Sequence, residues 1–303
     1  MATAAAASGL AGEMEVEAYR RLFPLAFLER HLGQSIRPDA RRLSQVRETT
    51  VALGAVSTAH GSALVRLGDT TMIAAVKLEV MSPTAESPDE GSVVVEFHMP
   101  PICSPLVRPG RPADAAPVIS KALEDVLMSS GMLNLKELCL ISGKASWLAY
   151  LDIYCLNADG SLFDAALISA VAAFTHLETP LVSVGDDGRV FTVGGNEGKT
   201  KFEFVNREKR KLTLGDIPFS LTCALHKDII LADPTSEEES IIETYVTVVV
   251  DSSDRIVSIQ KLGGSVASME AIKGCISLAK ERRHQLRDVL TNSVEAMEVD
   301  QTE

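Results

Sequence analysis

Positive charge is scarce in this sequence, and the deficit limits what the chain can bind unaided. Its 303 residues include 29 Lys and Arg but 41 Asp and Glu, which gives a formal net charge of −12. Proteins that bind nucleic acid strongly are usually basic, because the neutralisation of phosphates supplies much of the affinity. The composition therefore argues against an autonomous nucleic-acid-binding module. It predicts that any such contact is local and completed by other chains.

Cysteine is scarce too, and the five cysteines are scattered along the chain. No two of them have the C-x-x-C spacing of zinc and redox sites, and most have apolar neighbours, as Cys139 does between Leu138 and Leu140. This pattern predicts buried free thiols in a reducing compartment, without disulfides. The six histidines are equally dispersed and form no H-E-x-x-H pair, so the sequence predicts no metal site and no cofactor.

No apolar run comes near the roughly 18–20 residues that a membrane-spanning helix needs, and we expect no membrane partner. The first twelve residues are rich in alanine, but they lack the basic start and the continuous apolar stretch of a secretory signal. Residues 1–17 are therefore expected to form a disordered tail. The acidic end of the chain, residues 292–303, is expected to form a second one.

What the chain does contain is an alternation of β-rich and helical segments. An amphipathic stretch predicts an N-terminal helix over residues 18–36, although Pro24 limits the regularity of its first turn. Two successive units follow, at 37–182 and 216–291, and a Gly/Asp-rich linker hairpin at 183–215 separates them. Because each unit has several strands before a helix, we predict an α+β protein with antiparallel or mixed sheets and packing helices.

Three long elements are predicted with particular bounds. The run 145–157 has the composition of a long strand, and residues 162–177 are apolar on almost every side, which predicts a buried helix. Ser268 is a candidate N-cap for a last helix that we expect to end near Leu290.

Four short segments together resemble the RNase PH family. They are RPDAR at 37–41, GSALVRLGDT at 61–70, DGSLFDAA at 159–166 and QKLGG at 260–264. Each segment alone is weakly specific, but the four follow the family's order along most of the chain. The resemblance implies the RNase PH fold, with two sequential βαβ units similar to the second domain of ribosomal protein S5.

The third of these segments lies where active family members bind phosphate. They carry a turn of the Gly-Gly-Thr-Arg type, whose arginine and main-chain N–H groups hold the attacking phosphate. In this chain the turn contains Ser161, and Phe163 stands at the arginine position. Phenylalanine has no donor, so the bidentate grip on phosphate is lost. The resemblance therefore implies a degenerate phosphate site at these two residues.

Active members also supply two aspartates, six residues apart, that hold a metal ion and assist proton transfer. The matching positions here are Glu239 and Tyr245. A metal that needs two or more oxygen ligands would find at most one of them, so the resemblance implies a degenerate metal site and no catalytic residues. The acidic run 237–239 resembles a metal cluster only superficially, and we expect an exposed acidic loop there.

The segments GSLFDAA at 160–166 and DPTSEEE at 233–239 resemble one branch of the family, the non-catalytic ring subunits of the RNA exosome. This implies a ring of six RNase PH-like chains in three heterodimers, topped by S1/KH cap proteins. RNA would thread through the central channel to a hydrolytic nuclease below. Such a subunit is expected in the nucleus and nucleolus and also in the cytoplasm.

Three basic residues are candidates for contact with that RNA. Arg108 and Arg111 lie in a Pro-rich loop that the family places near the RNA path, and Arg111 aligns with an RNA-contacting arginine of active members. The alternative is that both arginines are simply solvated. Lys121 falls on the following helix, where active members often carry a basic residue, but a surface lysine is the commoner interpretation.

Two classes of function therefore compete. The first is a non-enzymatic scaffold within an RNA-degrading ring. The second is an active phosphorolytic 3′-to-5′ exoribonuclease, or the half of a dimer that lends basic residues to an active neighbour. The arginine of the phosphate turn and the aspartate pair discriminate between them, and both are missing here, which favours the scaffold.

Overall fold

Two short helices open the part of the chain that the structure describes. The computed structural model describes residues 14–184, 190–192, 203–206 and 210–300. Helix α1 covers residues 14–22 and helix α2 covers Pro24–Leu32. The prediction of a single helix over 18–36 is wrong, because Pro24 lacks the N–H that would continue α1 and instead begins α2.

The predicted N-terminal tail is also too long. Residues 14–17, expected to be disordered, belong to α1. Two exposed ion pairs involve α1: Arg21 pairs with Glu17 one turn earlier at 3.0 Å, and Arg20 pairs with the distant Glu237.

A six-stranded mixed sheet forms the first unit. The strand order is β1-β2-β3-β6-β4, and β5 pairs with the start of β6. Strands β4 and β6 run parallel and the other pairs are antiparallel. Helix α3 lies in the connection from β4 to β6, so these elements form a βαβ unit. The bounds are β1 (Thr49–Leu53), β2 (Gly61–Leu67), β3 (Thr70–Met81), β4 (Ser92–His98), β5 (Cys139–Ile141), β6 (Ala145–Asn157) and α3 (Ala115–Ser129). A 3₁₀ turn, Leu135–Leu138, precedes β5.

One face of this sheet is buried and the other is open. Every second residue from Met72 to Leu78 and from Trp147 to Cys155 is buried, which is the alternation of a sheet with one face on the core. Helix α4 (Leu162–Thr175) packs on the buried face, and it also contacts the sheet of the second unit. Because sheets flank it on both sides, α4 is buried almost all round, as predicted.

Short strands connect the two units. Strand β8 pairs with both β9 and β10, and β7 pairs with β11. The predicted linker hairpin at 183–215 falls largely on residues outside the described ranges, and its bounds stay a prediction. These strands are β7 (Glu178–Thr179), β8 (Val182–Val184), β9 (Val190–Thr192), β10 (Glu203–Asn206) and β11 (Arg210–Lys211).

A four-stranded antiparallel sheet forms the second unit, in the order β13-β12-β14-β15. Helix α6 packs on this sheet and on β1 of the first unit. An α+β fold with one mixed and one antiparallel sheet is thereby confirmed. The elements are β12 (Phe219–His226), β13 (Ile229–Ala232), α5 (Ser236–Ile241), β14 (Tyr245–Val250), β15 (Ile256–Leu262) and α6 (Met269–Asp300).

Helix α6 corrects the prediction of a disordered C-terminal tail from residue 292. The helix continues to Asp300. Leu290 is buried, and the Ser293 hydroxyl donates to the Val51 carbonyl of β1 at 3.0 Å. Residues beyond this contact, up to Met297, are mostly good helix formers, which favours continuation of the helix.

Helix α5 corrects the prediction of an exposed acidic loop at 237–239. Thr235 and Glu238 form a capping box: Glu238 accepts the Thr235 N–H at 2.9 Å, and the Thr235 hydroxyl accepts the Glu238 N–H at 3.4 Å. Glu238 is only 3% exposed. The T-x-x-E spacing that starts such a helix is present in the sequence, but the acidic run shows no apolar periodicity that would mark a buried face.

All five cysteines are free, and four of them are buried while Cys139 is half-buried. Within the described ranges, no helix is both long enough and apolar enough to span a membrane.

Candidate functional site

Side chains of the first sheet fix the turn that joins β6 to α4. Gly160 and Ser161 in this turn have positive φ values of 73° and 48°. Thr70, at the start of β3, donates from its hydroxyl to the Gly160 carbonyl at 2.9 Å and accepts the Asp159 N–H at 3.1 Å. Thr70, at the end of the segment 61–70, therefore fixes the main-chain conformation of the turn in the segment 159–166.

Gly160 is required because the second unit packs directly against the turn. A Cβ atom at Gly160 would lie 2.4 Å from the Pro234 carbonyl oxygen and 2.7 Å from the carbonyl carbon of Thr235. These separations are shorter than van der Waals contact, and the positive φ independently favours glycine. The turn and the start of α5 therefore meet main chain to main chain.

Three buried arginines, Arg37, Arg41 and Arg47, lie beneath this contact. Arg37 donates from Nε to the Glu238 carboxylate at 2.8 Å and from its terminal nitrogens to two carbonyls at the end of β13, at 2.6 and 3.0 Å. A planar guanidinium suits such multiple contacts. The RPDAR motif thus fastens the N-terminal segment to the second unit, which is a structural role.

Arg47 joins the N-terminal segment, the turn and the second unit. Its Nε and Nη2 atoms donate to the Asp233 carboxylate at 2.9 and 2.6 Å, and Nη1 lies 3.1 Å from the Asp159 carboxylate. Burial favours a higher pKa for Asp233, but the hydrogen bonds and charge of Arg47 outweigh it and hold the pKa below its usual value. Asp233 is therefore ionised and fully engaged with arginine.

The Glu239 carboxylate lies at the N-terminus of α4. Its Oε1 atom accepts the N–H of Ser161, the N-cap residue, at 2.8 Å. The N–H groups at a helix N-terminus are the donors that usually bind an anion. Burial raises the pKa of Glu239 to about 7, although the Ser161 N–H and the charge of Arg47 act in the opposite direction. The chain thus places its own carboxyl group on a main-chain donor of the turn before α4.

Tyr245 is occupied within its own segment. Its hydroxyl faces the carbonyl oxygens of Glu239 and Ile242, and burial, followed by the charges of Glu239 and Glu238, raises its pKa to about 12. A neutral phenol that donates to main-chain carbonyls is a poor metal ligand. Among the described residues, no three metal-ligating side chains come together around Glu239.

Gly160 and Glu239 border an open groove of about 630 Å³ between the two units. The Pro-rich loop before α3 forms its other border and contributes Arg108 and Arg111, both of which are exposed. Arg111 pairs with Asp114 at 3.1 Å, but such an exposed pair is weak. The structure therefore brings Arg108, Arg111 and Glu239, which the sequence singled out separately, to one groove.

The other candidate residues have different surroundings. Ser161 is buried, and its hydroxyl donates to the Pro234 carbonyl at 3.2 Å. Phe163 is half-buried and packs against the hydrophobic core of the first unit. Lys121 is exposed on α3 outside the groove and pairs with two acidic residues of the next helical turn, each at 3.1 Å.

Sequence reasoning singled out neither Arg47 nor the buried role of Glu238, although both residues are central to this junction. Glu238 carried one signal, the capping-box spacing from Thr235. Arg47 carried none, because its partner Asp233 lies 186 residues away.

Comparisons with known proteins agree with this architecture. A sequence profile of the 3′ exoribonuclease family, domain 1, matches residues 45–180, and the profile of domain 2 matches residues 216–282. The first match contains the six-stranded sheet with α3 and α4. The second contains the four-stranded sheet and the first part of α6.

Two curated relatives align along most of the chain. The exosome complex component rrp43 of Schizosaccharomyces pombe is 34% identical over 264 residues, which cover 87% of this chain and 94% of that protein. The exosome complex component Rrp42 of Methanopyrus kandleri is 33% identical over 268 residues, which cover 87% of this chain and 96% of that protein.

Solved structures share the fold. A chain of the Archaeoglobus fulgidus exosome with RNA bound to the active site has a TM-score of 0.75 at 26% identity and covers 91% of this chain and 98% of that one. Rice Rrp46 has a TM-score of 0.62 at 19% identity, covering 86% of this chain and 100% of that one. Profiles that match both units, together with relatives above 30% identity over most of the length, show that this chain belongs to the RNase PH-type 3′ exoribonuclease family.

Proposed function

We propose that this chain is a non-catalytic structural subunit of the RNA exosome core ring, of the rrp43 type. It would help to form the channel through which RNA is threaded, and so support 3′-to-5′ RNA processing and degradation, including rRNA maturation and mRNA turnover. The observation that carries the proposal is the Glu239 carboxylate on the Ser161 N–H, at the degenerate phosphate turn.

Phosphorolysis needs a bound phosphate that attacks the RNA, and two features of the turn oppose its binding. Phe163 offers no donor and packs against the core. The carboxyl group of Glu239 already uses a main-chain donor of α4, and when ionised it repels a second anion at the same place. Both features remove the electrostatic stabilisation on which transfer to phosphate depends.

Catalysis by a metal ion is opposed in the same way. The two former metal positions now hold Glu239, which faces Ser161, and Tyr245, whose proton is donated within its own segment. No cofactor is needed for the proposed structural role.

The partners follow from the family and from the charge. We propose that other RNase PH-like exosome subunits flank this chain in a six-member ring, with S1/KH cap subunits and a hydrolytic exosome nuclease as further partners. The edge strand β15 supports such contacts, because Ile256, Ile259 and Leu262 are exposed along it and an exposed apolar edge strand is a site for association. RNA in the central channel would meet Arg108 and Arg111. The nucleus, the nucleolus and the cytoplasm are the proposed locations.

An activity assay tests the proposal. The purified chain, and the reconstituted ring without its hydrolytic nuclease, are incubated with single-stranded RNA, Mg²⁺ and inorganic phosphate. We expect no release of nucleoside diphosphates, whereas the archaeal exosome serves as the positive control. Release that is abolished by Glu239→Ala would identify this chain as an active phosphorolytic exoribonuclease and overturn the proposal.

A further inference from the structure

Three metal-ligating side chains, none of which lines the groove, meet on the open face of the first sheet. Glu96 and His98 are two residues apart on β4, so their side chains leave the same face. Asp152 lies directly opposite Glu96 on the parallel neighbour β6. One ligand atom from each of the three residues lies within 4.8 Å of the other two.

The separation within this cluster suits a bound ion better than a hydrogen bond. The His98 Nε2 atom lies 3.4 Å from Glu96 Oε2, which is long for an N–H···O bond. Two ligands of a tetrahedral zinc ion, each with a bond of about 2.0–2.1 Å, are about 3.4 Å apart. Glu96 is exposed, while His98 and Asp152 are half-buried, so a fourth ligand position would open to solvent.

The ring of His98 is held in place by Tyr154. The two rings stack with their centroids 4.6 Å apart and an interplanar angle of 24°. Because the paired strands fix the main chain and this stack fixes the ring, Nε2 points toward the carboxylates before any ion is bound. Such preorganisation lowers the entropic cost of binding.

The negative charge of the cluster has no basic counterpart in the described part of the chain. Neither Glu96 nor Asp152 forms an ion pair with a Lys or Arg there; the nearby Lys77 of β3 pairs with Glu79 at 3.8 Å. Two neighbouring carboxylates repel each other, and a divalent cation would neutralise both.

We propose that Glu96, His98 and Asp152 form a binding site for a divalent transition-metal ion, with zinc the best fit, although the sequence pattern predicts no metal site. One imidazole and two carboxylates suit Zn²⁺ better than Mg²⁺, which prefers oxygen ligands in an octahedron. The ion would link β4 to β6, the parallel pair of the sheet. The site is independent of the groove and of the proposed function.

The test uses the full-length chain without a histidine tag, freed of metal with a chelator. Isothermal titration with ZnCl₂ should give one site per chain, and Zn²⁺ but not Mg²⁺ should raise the unfolding temperature, because a ligand of the native state stabilises it. His98→Ala and Asp152→Asn should each weaken zinc binding at least tenfold. His284→Ala, which removes an exposed histidine on α6, is the matched control and should bind zinc as the wild type does.

Two further measurements distinguish binding at this site from a general loss of stability and from ligation by a cysteine. The metal-free variants should keep the far-UV circular dichroism of the metal-free wild type and unfold cooperatively. Co²⁺ bound to the wild type should lack the thiolate charge-transfer band that ligation by Cys139 would give. Zinc binding that persists in the His98→Ala/Asp152→Asn double variant, a thiolate band, or no zinc binding by the wild type would overturn the proposal.

Discussion

Arg47 is the residue that joins the N-terminal segment, the turn and the second unit. Arg47→Met should lower the free energy of unfolding by roughly 3 kcal/mol, because it leaves the buried Asp233 carboxylate without its main partner. Arg41, at 3.3 Å, compensates only in part. Urea denaturation followed by circular dichroism measures the loss.

The matched control for this change is Arg66→Met. Arg66 is exposed and pairs with the exposed Asp69 at 3.4 Å, so its removal should cost less than about 1 kcal/mol. Equal losses of stability in the two variants would show that the buried pairing at Arg47 adds nothing.

The proton on Glu239 makes stability depend on pH. The pKa of this group is raised to about 7 in the folded chain from an ordinary value of 4.5, so the folded state binds the proton more tightly than the unfolded state. Proton binding therefore adds to the stability of the folded chain, fully below pH 4.5, and this added stability is lost as the pH rises through 7. The Glu239→Gln variant still accepts the Ser161 N–H and carries no titrating proton, so it should not lose stability in this pH range.

We therefore expect Glu239→Gln to be more stable than the wild type at pH 8, by roughly 2 kcal/mol after allowance for solvent screening. The two proteins should have equal stability at pH 4.5. Thermal unfolding at a series of pH values measures the difference, and a difference that stays constant across the series would contradict the assignment of the proton to Glu239.

The turn between β6 and α4 is one of the places where the two units touch, and there the contact is main chain to main chain. Gly160→Ala should destabilise the chain by more than about 2 kcal/mol, because the methyl group meets the Pro234 carbonyl and the φ of 73° is strained for alanine. Gly143→Ala is a matched control, since Gly143 has a φ of 70° with nothing within 4 Å of the added atom.

The difference between the two glycine variants isolates the close packing of the units from backbone strain. The control should cost only about 1 kcal/mol. Chemical denaturation gives both values, and equal losses of stability would mean that the turn can move away from α5 without cost.

Elements with a strong apolar pattern could be predicted from the sequence alone. Strand β6 has the predicted bounds, and α4 begins at the predicted residue, because β6 buries one face on the core and α4 is buried almost all round. Helix α5 could not be predicted in this way. Its buried residue is Glu238, which is satisfied by Arg37 from 201 positions earlier, and a local pattern contains no information about such a partner.

The candidate site shows the same limit. The turn at 159–166 and the position of Phe163 could be identified by resemblance, but the contact of Glu239 with Ser161 joins residues 78 positions apart. The shared groove of Arg108, Arg111 and Glu239 likewise depends on how the two units pack. Packing between distant segments, rather than local propensity, therefore decides which of these residues meet.

For the molecule as a whole, the net charge of −12 means that RNA should bind to the assembled ring rather than to this chain alone. In a rebuilt ring, Arg108→Glu with Arg111→Glu should weaken RNA binding equally for all sequences, because phosphate contacts carry no sequence information. The slope of log affinity against log salt should fall by about 0.7 for each phosphate that is no longer neutralised.

Fluorescence anisotropy over a salt series measures both quantities. Lys121→Glu, on α3 outside the groove, is the control variant and should change the RNA affinity and the salt slope little. If the double arginine variant has unchanged affinity and slope in a ring that still assembles, these arginines are solvated surface residues that do not contact RNA.

The arginine cluster also limits how early the N-terminal segment can reach its final contacts during synthesis. Arg37 and Arg47 precede their partners Glu238 and Asp233 by 201 and 186 residues. A ribosome that adds roughly 5–20 residues per second needs about ten seconds or more to cover that distance. For this interval the emerging chain exposes a basic segment that the folded, acidic protein buries.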